Sequence, residues 1–140
     1  MEKIKISELF YSLQGEGRFM GVPSVFMRTY GCNFQCRGFG MPKGQLSNEA
    51  DIIASTGPYR SYDTLPLAET GCDSYASWHP KFKDLSPAID IDTLVDRIID
   101  LLPNKKWEDE HFVITGGEPL LGWQKIYPKL LEHPKMQGLS

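Results

Sequence analysis

Apolar and polar positions alternate through "KIKISELFYS" (3–12), the period of a half-buried β-strand. The next stretch, "QGEGRFMGVP", carries Gly15, Gly17, Gly21 and Pro23 and reads as a loop. "SVFMRTY" (24–30) predicts a second strand, with Arg28 near its end and Cys32 just beyond it. From 37 to 71 no period is sustained; glycines and prolines recur, and the segment reads as an irregular excursion with a short helix near "NEADIIAS". Periodicity returns in "DIDTLVDRIIDLLP", where Ile91, Leu94, Val95, Ile98 and Leu102 share one helical face. Asp90 or Asp92 can cap that helix and Pro103 stops it. "HFVIT" (111–115) is a short apolar strand running into "GGEPL", and a last helix is expected from Trp123 to Leu131, kinked or restarted by Pro128. Strand, helix, strand, helix predicts parallel strands joined by crossovers, an α/β fold in one domain spanning 1–140, with 37–71 as an insertion.

Composition adds little to this picture beyond exclusions. A hydrophobic fraction of 41% and a charged fraction of 24% are those of a soluble globular domain. A net charge of -3 gives no electrostatic reason to expect nucleic acid as a direct partner. No apolar run approaches the roughly 20 residues of a membrane helix, and "MEKIKISELF" lacks the apolar core of a signal peptide, so the expected compartment is the cytoplasm.

The cysteines change it more. Cys32 and Cys36 have the spacing that opens the iron–sulfur motif C-x3-C-x2-C, but the third position of that motif holds Phe39. Cys72 follows the excursion directly, and looping out 37–71 restores the ordinary three-cysteine pattern. Loop closure costs only about 0.6 kcal/mol per doubling of length, so such an insertion is tolerable. Three is an odd number for a disulfide framework and natural for three thiolates. Structural zinc or inert buried thiols are the alternatives; a four-ligand zinc site needs a histidine, and His79, His111 and His133 show no ligand spacing. His79, in "WHPKF", reads as a solvated loop residue. In parallel α/β folds active groups gather at the carboxyl ends of strands, where Cys32 and Gly116-Gly117-Glu118-Pro119 both fall. The two glycines there admit a backbone approach to a ligand.

Four stretches together, "FYSLQGEGRFMGVPSVFMR", "GCNFQC", "CDSYASW" and "TGGEP", resemble the 7-carboxy-7-deazaguanine synthase family of the radical S-adenosylmethionine superfamily. The insertion between the second and third cysteines and the length of 140 residues depart from that family. The resemblance implies a partial (β/α) barrel of the radical S-adenosylmethionine type. It implies a 4Fe–4S cluster on Cys32, Cys36 and Cys72 with one iron open to S-adenosylmethionine. Asp73, Gly116, Gly117 and Glu118 would contact that cofactor; for Glu118 the alternative is an acidic residue at a helix start that serves the dipole. Leu13, Gln14, Gly15, Arg28 and Thr115 match the family's substrate contacts, and Ser74 matches its Mg²⁺ ligand. The plain alternatives are a surface charge at a strand edge for Arg28 and a turn-starting serine for Ser74, while Tyr75 and Trp78 read as packing. The implied substrate is 6-carboxy-5,6,7,8-tetrahydropterin, converted to 7-carboxy-7-deazaguanine with loss of ammonia in queuosine-type biosynthesis, a carbon–nitrogen lyase reaction. Flavodoxin or ferredoxin would supply electrons, and a homodimer is a further expectation. A glycyl-radical-enzyme activase and a non-catalytic iron–sulfur-binding fragment are the competing readings.

Overall fold

The computed structural model describes residues 3–31, 40–57, 59–60, 64–70, 75–77, 79–116, 119 and 122–139. Strand β1 (Lys3–Leu13) and strand β2 (Pro23–Thr29) form a hairpin. Its loop is closed by the Gln14 N–H on the Val22 carbonyl and the Gly21 N–H on the Gln14 carbonyl, at 3.0 and 2.8 Å. Helix α1 (Glu49–Thr56) follows in the excursion, then strand β3 (Ala88–Asp90), helix α2 (Ile91–Leu101), strand β4 (His111–Gly116) and helix α3 (Tyr127–Leu131). The sheet order is β3-β1-β2-β4. Among the described residues no helix is long and apolar enough to cross a membrane.

The fold is mixed α/β, and the expectation of parallel strands holds for one pair. β2 and β4 are parallel, whereas β1 is antiparallel to both its neighbours. The reason is local: a short glycine-bearing loop reverses the chain, while a parallel pair needs a long crossover. The connection from β2 to β4, which carries α1, β3 and α2, is long enough for one; β3, comparably far from β1 in sequence, nevertheless runs antiparallel to it. β3 has three residues, too few to show a period, and was not expected.

One face of the sheet is covered. Ile4, Ile6, Val25 and Met27 meet Leu94, Val95, Ile98 and Leu102 from α2 and its end, with Tyr127, Leu130 and Met136 beside them. The helical stripe predicted for 91–102 is this buried face, except that Ile91 is only partly buried. Asp90 caps α2, its carboxylate accepting the Thr93 N–H at 2.8 Å. That hydrogen bond, with smaller help from the Thr93 side chain and Lys3, holds the carboxyl below its ordinary value. Pro128 restarts the last helix rather than kinking it: a 3₁₀ turn at Trp123–Lys125 ends, and α3 begins with the proline in its first turn, where no N–H is needed.

The excursion contains the short helix expected near 48–55 and builds a second, smaller cluster. Ile53 packs with Tyr75, Ala76 and Phe82, which lie after the excursion in sequence, so the segment borrows its core from the chain that follows. Glu49, at the start of α1, ties that helix to the excursion's far end, its carboxylate accepting the Glu69 and Thr70 N–H groups at 2.6 and 2.7 Å. Tyr75 is a packing residue, as expected, and Trp78 lies outside the described residues.

His79 is not solvated. It is 8% exposed, its ring stacks obliquely on Phe82 at 5.4 Å, and its Nε2 lies 2.7 Å from an Asp51 carboxylate oxygen. Its Nδ1 accepts the Lys81 N–H at 3.2 Å, capping a 3₁₀ turn that begins at Pro80. That acceptor role leaves Nε2 as the donor to Asp51. The apolar body of the imidazole is what the sequence reading undervalued.

Candidate functional site

The other face of the sheet carries the candidate site. A bulge between Ile6 and Glu8 shifts the phase of β1, so that the residues facing α2 change from Ile4 and Ile6 to Leu9 and Tyr11. Beyond the bulge the register sets two rows across three strands on the uncovered face. Glu8 pairs with Arg28 and Arg28 with Thr115; Phe10 pairs with Phe26 and Phe26 with Val113. Phe10 and Phe26 stack at 5.1 Å between centroids with 7° between planes.

Residues of these rows and the start of the hairpin loop line an open cavity of about 370 Å³ whose walls include Leu13, Gln14, Gly15, Arg28 and Thr115. All five positions that the resemblance assigns to substrate thus line one hollow. Arg28 is not at a strand edge, because β2 lies between β1 and β4. Its Nε–H donates to Glu8 at 3.2 Å and an Nη1 N–H to the Gly116 carbonyl at 3.5 Å, with one-fifth of the side chain exposed. Gln14 turns back, its side-chain oxygen accepting the Gly15 N–H at 3.0 Å. Ser12, Glu16, Phe10, Phe26 and Val113 complete the lining and had not been singled out. Their signal was available in the strand register, which requires knowing which strands pair.

Gly116 ends β4 with φ +156, and a Cβ there would sit 2.6 Å from the Thr29 carbonyl oxygen. The neighbouring strand's backbone alone thus leaves no room for a side chain at this position. Gly117 and Glu118 lie outside the described residues, as do Cys32, Cys36, Cys72, Asp73 and Ser74. Their flanks are described. The Gly31 N–H donates to the Ser77 carbonyl at 2.5 Å, and the Tyr30 hydroxyl donates to the His79 carbonyl at 3.0 Å. Burial raises the Tyr30 phenol above its ordinary pKa. The chain entering the first cysteine is thereby bonded to the chain leaving the third. Among the described residues no group of three or more His, Cys, Asp or Glu side chains is placed to hold a metal ion.

No family model matches the chain. Curated relatives do. A 7-carboxy-7-deazaguanine synthase of Aquifex aeolicus is 45% identical over 137 residues, covering 98% of this chain and 42% of the relative. Its namesake in Halobacterium salinarum is 37% identical over 119 residues, covering 84% of this chain and 30% of the relative. A third, from Buchnera aphidicola, is 30% identical and covers 83% and 43%. The chain spans less than half the length of each of these relatives. A crystal structure of QueE from Escherichia coli superposes with a TM-score of 0.41 at 24% identity, over 84% of this chain and 42% of that one, too loosely to bear on the fold. The resemblance read from the four motifs is thus a similarity that runs nearly the whole length of the chain.

Proposed function

We propose that this chain acts in the radical S-adenosylmethionine conversion of 6-carboxy-5,6,7,8-tetrahydropterin to 7-carboxy-7-deazaguanine, with its four strands forming part of a partial (β/α) barrel. The observation that carries the reading is the single cavity that gathers Leu13, Gln14, Gly15, Arg28 and Thr115 from positions far apart in sequence.

Within it Arg28 would bind the pterin carboxylate through its planar fork, a geometry that suits a bidentate anion. The Thr115 hydroxyl and the Gln14–Gly15 backbone would meet polar edges of the ring, and the Phe10–Phe26 pair gives an apolar wall that excludes water. Cys32, Cys36 and Cys72 would hold a 4Fe–4S cluster, whose thiolate donor set suits iron–sulfur ligation. Asp73, Gly116, Gly117 and Glu118 would lie against S-adenosylmethionine, and Ser74 offers a hard oxygen suited to Mg²⁺. When bound, the cluster and S-adenosylmethionine supply the one-electron chemistry that begins hydrogen abstraction from the pterin. The Gly31–Ser77 bond supports convergence of the first and third cysteines across the insertion. A cytoplasmic location, a flavodoxin or ferredoxin donor and a homodimer belong to the same proposal.

Anaerobic incubation with the pterin, S-adenosylmethionine, reconstituted iron and sulfide, and dithionite tests it by mass spectrometry. The expected result is carboxydeazaguanine. Cleavage of S-adenosylmethionine without pterin conversion would favour a different radical target such as a glycyl-radical protein. Iron binding without cleavage would leave a non-catalytic cluster protein.

A further inference from the structure

The row through Arg28 has one member to which the resemblance gives no role. Glu8 stands directly across from Arg28 in the β1–β2 register, with its Oε2 3.2 Å from the Arg28 Nε. It reaches that place only because of the bulge. In a regular strand residue 8 would share the face of Ile4 and Ile6, against α2, where an unpaired carboxylate is costly. The extra residue is Ser7, which is 6% exposed and pins the bulge through a 2.9 Å hydrogen bond to the Ser86 hydroxyl. A bulge fixed by a buried bond, at the one point where β1 must change phase, delivers the carboxylate to the uncovered face.

We infer that Glu8 is a positioning residue: it holds the Arg28 guanidinium by its Nε–H, so that the group meets an anion already oriented. The inference rests on reading the cavity as the pterin site. Charge alone argues against keeping a carboxylate beside an anion-binding cation, since Glu8 offsets the attraction of Arg28 for a ligand carboxylate. Orientation supplies the compensating benefit, because a long flexible side chain fixed in advance loses less freedom on binding. A purely neutralising Glu8 makes the opposite prediction, namely tighter anion binding once it is removed.

The full chain labelled with ¹⁵N provides a test that needs no ligand. The Arg28 Nε–H resonance, assigned through its disappearance in Arg28→Lys, should be sharp in wild type and in Glu8→Gln, which keeps an acceptor oxygen. In Glu8→Ala it should be lost to solvent exchange. An unchanged resonance in Glu8→Ala overturns the inference whether or not any pterin binds. The second readout is titration with 6-carboxytetrahydropterin and with tetrahydropterin lacking the carboxylate. Glu8→Ala should weaken the first by about five-fold, a hydrogen bond to a charged group discounted for partial exposure, and Glu8→Gln should restore it. The second ligand should be unaffected. Tighter binding of the carboxylated pterin to Glu8→Ala overturns the inference. Wild type binding neither pterin sinks the pterin reading instead, and the resonance alone then decides the role of Glu8.

Discussion

The two faces of the sheet are made from the same strands and do opposite work. Toward α2 the alternate positions are Ile4, Ile6, Val25 and Met27, all buried against Leu94, Val95 and Ile98. On the other face they are Glu8, Phe10, Phe26, Arg28, Val113 and Thr115, all partly exposed; all but Glu8 line the cavity, and no helix among the described residues covers them. The covered face stabilises the domain through apolar area removed from water. The uncovered face keeps an arginine–glutamate pair and an aromatic wall where a ligand can reach them. Because strand alternation separates the two, changes on one face should register mainly in stability and changes on the other mainly in binding.

Ile98→Ala is the strongest way to break that division. Ile98 is fully buried, and truncation of a buried isoleucine to alanine costs about 2–5 kcal/mol through lost transfer energy and the cavity left behind. Urea denaturation should show that loss, with cavity ligands still bound at denaturant concentrations below the new midpoint. A change confined to binding would mean that the faces are coupled.

Arg28→Lys should do the reverse. Replacing a planar fork by a point charge should weaken carboxylated pterin about ten-fold, near the lower end expected for a hydrogen bond to a charged group. Stability should fall by less than about 1 kcal/mol, because the Glu8 pair is partly exposed. Paired pterin titrations and melting curves check both halves.

Much of this division was legible in the sequence, and its limits have physical causes. The stripe from Leu94 to Leu102 predicted the covered face, because helical periodicity is local. The phase change in "KIKISELFY", from apolar even positions to apolar odd ones, is the imprint of the bulge, but it passed as simple alternation. The antiparallel hairpin was obscured by assuming that a strand series implies parallel pairing. β3 is too short to announce itself, and the burial of His79 depends on Asp51 and Phe82, which only the tertiary fold brings to it. The substrate-side positions came from a family resemblance, and no periodicity would have found them.

The smallest expected effect concerns acid. The Asp90 carboxyl is held below its ordinary value of 3.8, chiefly by the Thr93 N–H at the start of α2. A group whose folded pKa is depressed contributes stability that is present above the unfolded value and lost as pH falls through the folded one. The covered face should therefore weaken slightly below about pH 4, and Asp90→Asn, which retains a capping oxygen but no titrating charge, should flatten that limb of the stability curve. An acid limb unchanged in Asp90→Asn would assign it to other carboxylates, Glu49 first, since two backbone N–H groups and Thr70 lower its pKa as well.

The central claim, that the uncovered face receives the pterin, is tested most directly by mapping amide shifts on the ¹⁵N-labelled chain as 6-carboxytetrahydropterin is added. The account predicts shifts concentrated at residues 10–16, 26–28 and 113–115, with α2 silent. Shifts centred on α2, or on the hollow of about 400 Å³ beside Ser7, Pro87 and Arg97, would contradict it.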